Sequence, residues 1–230
     1  MQCVILAAGK GTRMRPLTET TPKPLLRVGE QALLDYVVAA LPPVIDELII
    51  VTNYLEEQIM TYCGTEFHGR RVQYVHQDNP AGGTGAALLC AAPLIIGRFL
   101  FMYADDIHGA AALAEVVTHD HAMLAMPSDT PEQFGVVYKN DDGTLREIIE
   151  KPAAPTSNLV NIGGFVITPD IFNYQTAAAS DSGEVYVTDM LTAYAKNHPV
   201  QVIEQTVWIP VGTPEQLAAA EKMVLSQKID

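Results

Sequence analysis

The chain's most chemically suggestive segment lies near its amino end. Leu6-Ala-Ala-Gly9-Lys10-Gly11-Thr12-Arg13-Met14-Arg15-Pro16-Leu17 is followed by Thr21-Pro22-Lys23-Pro24-Leu25-Leu26. Small residues after an apolar run leave backbone N–H groups unhindered, so a phosphate chain can approach where a Cβ would block it. Five of the 14 basic residues fall here, Lys10, Arg13, Arg15, Lys23 and Arg27, and Glu19 is the one acid between Lys10 and Arg27. The chain as a whole carries 27 Asp and Glu and a formal charge of −13. A positive turn in so acidic a molecule points to a bound polyanion. A Walker loop requires GxxxxGK[ST], which Gly9-Lys10-Gly11-Thr12 does not supply. A dinucleotide fingerprint requires GxGxxG, and Met14 stands where its third glycine would be.

These residues need a scaffold, and the 230-residue chain, 48% hydrophobic, is long enough to bury a full core. Apolar runs alternate with helix-like stretches: Cys3 to Ala8, Leu33 to Leu41, Glu47 to Thr52, Leu55 to Cys63, Val72 to His76 and Thr84 to Ala92. Phe99 to Ala104 reads as a strand, Ala110 to Val117 as a helix and Ala122 to Met126 as a strand. Gly135 to Tyr138, a turn at Asp141-Asp-Gly143 and Leu145 to Glu150 read as a β-hairpin. Val160 to Thr168 is a further strand, Pro169 opens a short helix, Val187 to Lys196 is a longer one, and Val200 to Val207 is a late strand. Thr213 caps a final helix that runs to Gln227, with Pro214 in its first turn. The expected fold class is α/β: one Rossmann-like domain over 1–230, with a mixed, mainly parallel sheet flanked by helices. The loops around Ala153 to Asn158 and Ala177 to Gly183 read as flaps beside a site.

Composition also sets limits. The acidic balance argues against a nucleic-acid partner and against anionic membranes. The stretch from Gly85 to Ile96 is broken by Pro93 and falls short of the roughly 20 residues of a membrane helix. The start at Met1 shows no basic region followed by an apolar core, so the expected compartment is the cytoplasm. Cys3, Cys63 and Cys90 are three in number and widely spaced, which reads as small buried hydrophobes rather than a disulfide or zinc framework. His119-Asp120-His121 lacks a third ligand pattern and reads as the beginning of a strand. Tyr74, Tyr103, Phe165 and Trp208 read as core aromatics, with stacking on a base or sugar as the alternative.

The amino-terminal segment closely resembles LAAGxGTRxxPLTxxxPKPLL, the signature of the sugar-1-phosphate nucleotidyltransferases, NDP-sugar pyrophosphorylases with a glycosyltransferase-A-like Rossmann-type fold. Further motifs follow in order: Gly83-Thr84-Gly85-Ala86-Ala87-Leu88 is similar to GTxxAL, Tyr103-Ala104-Asp105 to LxGD, and Phe134-Gly135-Val136-Val137 to FGVV. Glu150-Lys151-Pro152 is similar to EKP, Asn161-Ile-Gly163-Gly-Phe165 to NxGxY/F, Gly183-Glu184 to Asp189 to GExxxTD, and Trp208 to Glu215 to WxDVGTPE. The shorter motifs say little singly; their order and spacing beside the long signature make the combination specific.

The resemblance implies in-line attack of a sugar 1-phosphate on the α-phosphorus of a nucleoside triphosphate, giving an NDP-sugar and pyrophosphate, with Mg²⁺ as cofactor. By that resemblance the catalytic residues are Arg13 on the β- and γ-phosphates, Lys23 on the α-phosphate, Asp105 as the metal ligand and Lys151 on the sugar phosphate. Leu6, Ala7, Ala8, Gly9, Gly11, Thr12, Gln77, Gly83 and Thr84 would bind the nucleotide. Glu150, Asn161, Gly135 and Glu184 would bind the sugar. The implied division is a nucleotide-binding part over 1–130, a sugar-phosphate part over 131–212 carrying the hairpin, and a carboxy-terminal helix over 213–230. The partners are the two substrates, with a homo-oligomer left open.

Two positions depart from the pattern. Ala104 replaces the glycine before the metal Asp, and Pro210 replaces a second metal-binding Asp. Asp105 with substrate phosphates and water would then suffice, or Asp106 or another acid would substitute, or the chain is an impaired nucleotide-sugar binder. A cytidylyltransferase for a non-sugar alcohol phosphate shares the amino-terminal signature, and the motifs at 150–152 and 184–189 argue against it. The resemblance does not fix the base, with uridylyl ahead of thymidylyl, guanylyl and cytidylyl, nor the sugar, an amino sugar, hexose or heptose for cell-envelope glycans.

Overall fold

The computed structural model describes residues 1–178 and 184–225. Its elements follow the expected alternation: β1 (Gln2–Leu6), β2 (Arg27–Val28), β3 (Gln31–Ala32), α1 (Leu33–Ala39), β4 (Glu47–Thr52), α2 (Glu56–Cys63), β5 (Glu66–Phe67), β6 (Arg70–His76) and α3 (Gly83–Ala91). Then come β7 (Phe99–Tyr103), β8 (Asp106–His108), α4 (Ala110–Val116), β9 (Ala122–Pro127), β10 (Gly135–Lys139), β11 (Leu145–Glu150) and β12 (Leu159–Ile167). A 3₁₀ helix (Pro169–Ala178), α5 (Val187–Ala195), β13 (Gln201–Glu204), β14 (Trp208–Pro210) and α6 (Pro214–Leu225) complete the chain. Most of the loop from Ala177 to Gly183, and the last residues of the final helix expected to reach Gln227, lie outside the described residues.

Ten of these strands form one mixed sheet ordered β11-β10-β12-β7-β1-β4-β6-β5, with β9 against β12 and β13. Around β1 the sheet is parallel: β1 pairs with both β4 and β7, and β4 with β6. Strand β12 then runs antiparallel to β7 and brings in the β10–β11 hairpin. Parallel strands buried on both faces need apolar side chains at every position, and the sheet divides them by alternation. Cys3, Ile5, Leu48, Ile50, Leu100 and Met102 face the layer holding α1, α2 and α4. Val4, Ile49, Val51, Phe99 and Phe101 face α3 and α5.

The expected late strand over Val200 to Val207 is shorter than its apolar run suggests. It ends at Glu204; Gln205 still donates its backbone N–H to Ala125 O, and the chain then leaves the sheet. Beyond it β14 pairs antiparallel with β8, Trp208 opposite His108 and Pro210 opposite Asp106. This ribbon joins segments about a hundred residues apart, so no local periodicity announces it. Its other face, Ile107 and Ile209, packs with Met14, Leu26, Val211 and Ala220 in a small third core.

The start of α1 supplies a measurable pH effect. Asp35 accepts hydrogen bonds from the Ala32 N–H at 2.9 Å and the Tyr62 hydroxyl at 2.6 Å, and its carboxylate pairs with His68 Nε2 at 2.9 Å. Burial pushes this carboxyl up, but the bonds from His68, Tyr62 and Ala32 outweigh it and hold it below its ordinary value. A depressed folded value stabilises the fold above the unfolded value, and that stability disappears as pH falls through the folded value. Asp35→Asn is therefore expected to lower the melting temperature at pH 7 by roughly 2–6 °C, from about 1–2 kcal/mol of lost hydrogen bonding. Thermal unfolding from pH 7 down to about 2 should show the gap closing below the ordinary carboxylate pKa near 4. A gap constant over that range would contradict the assignment.

Candidate active site

The carboxyl ends of β1 and β7, with the residue just after β6, open onto a cavity of about 410 Å³. In open α/β sheets this is where ligands gather, because the connecting loops diverge there. The amino-terminal loop forms one wall. Leu6 closes β1, Ala7 donates its N–H to Val51 O at 2.8 Å, and the chain then turns through Gly9 and Gly11. Gly11 has φ +59°, and a Cβ there would come within 3.0 Å of Thr18 Cγ2 and 3.2 Å of Lys23 Cβ. The Thr18 hydroxyl ties the turn by donating to Gly11 O at 2.8 Å. Met14, fully buried in the third core, anchors the loop from below, so Arg13 is exposed on the cavity wall while its neighbour is immobilised.

Lys23 is 9% exposed and sits in a 3₁₀ turn between Pro22 and Pro24. Its ammonium pairs with the carboxylate of Asp105, which follows β7. Asp105 keeps 35% of its side chain exposed, and both partners line the cavity. Asp106 does not line it. It stands in β8 opposite Pro210, half-buried, and burial first and the Asp105 charge second push its carboxyl well up. His108 is buried on the same ribbon, and loss of hydration pushes its imidazole down to about 4.

The opposite wall is the turn into α3. Gly83 and Thr84 line the cavity, and Gln77, 4% exposed, donates its side-chain amide to Asn79 O at 3.0 Å beside them. Gly83 has φ +85°, and its Cα faces Val185 so closely that a Cβ would lie 2.5 Å from Val185 O. Glu184 and Tyr186 complete this wall, joined by a hydrogen bond from the tyrosine hydroxyl to the carboxylate.

Of the expected residues, the structure therefore gathers Leu6, Ala7, Gly9, Gly11, Thr12, Arg13, Lys23, Gln77, Gly83, Thr84, Asp105 and Glu184 around one cavity. Ala8 is buried in the core facing α3 instead. Gly135, Glu150, Lys151 and Asn161 stand outside the cavity lining. Gly135 is opposite Glu150 at the hairpin's open end, and Glu150 accepts from the Thr188 hydroxyl at 2.9 Å. Lys151 adopts φ +44° and donates its N–H to Phe134 O at 3.0 Å. Asn161 turns its side-chain oxygen onto Gly163 N at 3.0 Å, holding a bulge in β12.

Mg²⁺ asks for hard oxygens and keeps much of its water. Asp105 offers one partly exposed carboxylate on the cavity wall, and Pro210 offers none. Among the described residues no three His, Cys, Asp or Glu side chains converge as a cage. The donors fit an ion shared between one carboxylate, substrate phosphates and water.

Residues 2–227 match the nucleotidyl transferase family. The chain belongs to that family. Among curated relatives, this nucleotidyl transferase is 34% identical to the UTP–glucose-1-phosphate uridylyltransferase AglF of Haloferax volcanii, over 96% of each chain. It is 31% identical to the bifunctional protein GlmU of Methanocaldococcus jannaschii, over 99% of its own length and 55% of that protein. It spans about half the length of several such bifunctional relatives. Among solved structures it superposes on a protein from Bacillus anthracis, provisionally named a glucose-1-phosphate thymidylyltransferase and bound to sucrose, with TM-score 0.87 and 27% identity over 100% and 96% of the two chains. A UDP-glucose pyrophosphorylase in complex with UDP-glucose gives TM-score 0.83 and 25% identity over 98% of each chain.

Two lining residues owe their places to distant partners. Tyr103, read as core with stacking on a base or sugar as the alternative, lines the cavity, because the bulge at Gly163 makes room for its ring: a Cβ at 163 would lie 2.8 Å from Tyr103 Cδ2. Gly212 lines it too and backs Arg13, with its N–H held by Gln216 Oε1 at 2.7 Å. A Cβ there would come 3.7 Å from Arg13 Nη2. A tight glycine between Val211 and a helix cap was visible in the sequence, but its partner two hundred residues earlier was not.

Proposed function

We propose that this chain joins a sugar 1-phosphate to a nucleoside triphosphate, releasing pyrophosphate and forming an NDP-sugar. The observation that carries this reading is the Lys23–Asp105 pair, placed between a glycine-rich basic loop and the Gly83–Thr84 turn of a cavity able to hold a nucleotide. UTP and glucose 1-phosphate are the first pair to test, on the likeness to the Haloferax uridylyltransferase. The sugar-phosphate part over 131–212 and the carboxy-terminal part over 213–230 complete the assignment, with the cytoplasm as its compartment.

A sugar phosphate is largely dianionic near neutral pH, so its oxygen attacks without a general base, and the chain's work is positioning and charge stabilisation. Leu6, Ala7 and Gly9 and the Gly83–Thr84 turn hold the base and ribose, with Gln77 fixing that turn. Lys23 steadies the charge that builds on the α-phosphate. Arg13, a planar fork of donors, receives the leaving pyrophosphate. Asp105 holds Lys23 in place and would ligate Mg²⁺ with triphosphate oxygens and water, an ion whose contribution is neutralising charge at the attacked phosphorus. Glu184 recognises sugar hydroxyls from the far wall, with Gly135, Glu150, Lys151 and Asn161 on the hairpin side that a bound sugar phosphate would meet.

The test is a matrix of UTP, dTTP, CTP and GTP against glucose 1-phosphate, N-acetylglucosamine 1-phosphate, heptose 1-phosphate and a non-sugar alcohol phosphate, read as pyrophosphate release with Mg²⁺. Turnover with a sugar phosphate is expected. Product with the alcohol phosphate alone would favour the cytidylyl reading. Pro210 motivates a second reading, a nucleotide-sugar binder without turnover, which silence across the matrix combined with measurable NDP-sugar binding would favour. Within an active pair, Arg13→Ala is expected to lower kcat by about 10²-fold or more, the scale of one preorganised charge-stabilising donor. An unchanged kcat would mean that Arg13 does not receive the pyrophosphate.

A further inference from the structure

The wall carrying Glu184 and Tyr186 is riveted to the turn carrying Gly83 and Thr84. Gly85 N donates to Val185 O at 2.7 Å, Val185 N to Gly82 O at 2.8 Å, and Val187 N to the Thr84 hydroxyl at 3.1 Å. Alternate residues of an extended segment point to opposite sides. Glu184 and Tyr186 accordingly both reach the cavity, while Val185 between them packs the other way, in the core facing α3 and α5. The space it enters exists because residue 85 has no side chain. A Cβ on Gly85 would lie 2.7 Å from Val185 Cγ1, 2.9 Å from Met190 Sδ and 2.9 Å from Val185 O.

We propose that Val185 seated against Gly85 is the pin that sets the register of residues 184–186, and so delivers Glu184 and Tyr186 to the sugar side of the cavity. Gly85 and Val185 are positioning residues. Neither lines the cavity, and their effect on substrate passes through the residues beside them. The direction of yielding follows from the elements. Gly85 is the third residue of α3, which runs on to Ala91, whereas 184–186 are a short extended segment before α5 tied to α3 by the two bonds of Val185. A methyl group at 85 therefore moves 184–186 and leaves Gly83 and Thr84 in place.

This inference rests on the nucleotidyl-transfer reading, and steady-state kinetics with UTP and glucose 1-phosphate, or dTTP where that is the active triphosphate, separates the two. Gly85→Ala is expected to raise the KM for glucose 1-phosphate about tenfold and leave the triphosphate KM within about twofold. Val185→Ala, which removes the pin and keeps all three hydrogen bonds, should move the same constant in the same direction by less. In the double variant the clash with Val185 Cγ1 is gone while the close contacts with Val185 O and Met190 Sδ remain, so the glucose 1-phosphate KM should fall part of the way back toward wild type. A merely structural contact would lower the melting temperature without splitting the two KM values. Equal shifts in both, no shift, or a double variant worse than Gly85→Ala would overturn the pin. Should Gly85→Ala fail to fold, the direction of the Val185→Ala split decides. A wild-type chain inactive with every pair would sink the transfer reading and this inference with it.

Discussion

Lys23→Ala is expected to lower turnover about 10³-fold with the fold preserved. The ammonium is 9% exposed and aimed at Asp105, so it works where water screens it poorly. Removing one preorganised charge from such a place costs on the order of 10²–10³ in kcat. The loss sits at the upper end of that range, because the substitution also leaves Asp105 facing Asp106 without the cation that both carboxylates feel. The fold survives because Asp105 is about a third exposed and recovers hydration in the variant. Pyrophosphate release gives the rate and far-ultraviolet circular dichroism the fold. A rate within tenfold of wild type would remove Lys23 from the centre of the mechanism. Lys23→Arg should rescue little, since a planar guanidinium does not reproduce the compact charge that pairs with Asp105.

Gly83→Ala should do the greatest damage to stability of any single methyl added at the site. Its φ of +85° already disfavours an L side chain by roughly 1–2 kcal/mol. The added Cβ would also lie 2.5 Å from Val185 O and 3.1 Å from Val185 N, backbone atoms that cannot rotate aside as a side chain would. Together these predict a loss of about 2–4 kcal/mol, which for a chain of this size is a melting-point drop of roughly 5–12 °C. Activity should fall with it, because relieving the clash breaks the Gly85–Val185 and Val185–Gly82 bonds that keep the two walls in register. Differential scanning fluorimetry at neutral pH is sufficient. A drop of less than 2 °C would mean that the turn is softer than its geometry implies. Gly9→Ala is the natural control, since nothing lies within 4 Å of a Cβ there.

The amino-terminal loop was legible because its chemistry is local. Glycines, a threonine and spaced cations within one turn carry the chemistry proposed for this loop whatever the rest of the chain does. The strands and helices around β1 were legible for the same kind of reason, since apolar runs and 3.6-residue periodicity are properties of short windows. Asp105 was legible as the residue ending an apolar strand, where an open sheet presents its ligands.

What stayed hidden depends on pairs distant in sequence. The β8–β14 ribbon, the bulge that brings Tyr103 to the cavity, and Gly212 behind Arg13 each join residues from about 60 to 200 positions apart. No residue in either partner carries a mark of the other. Gln77, Glu184 and Thr84 could be nominated singly, but that one backbone segment fastens the Gly83–Thr84 turn to the wall of Glu184 and Tyr186 follows only from packing.

The sequence alone determined the α/β class, the basic glycine-rich turn and the identities of the charged groups, because these rest on local backbone preference and on side-chain chemistry. Tertiary structure alone decided that Lys23 is buried against Asp105, that Asp106 faces Pro210 outside the cavity, and that Val185 fills the space beside Gly85. The physical reason is that burial, charge pairing and close contact are properties of the space between segments. That space exists only once the sheet has closed its layers around the core.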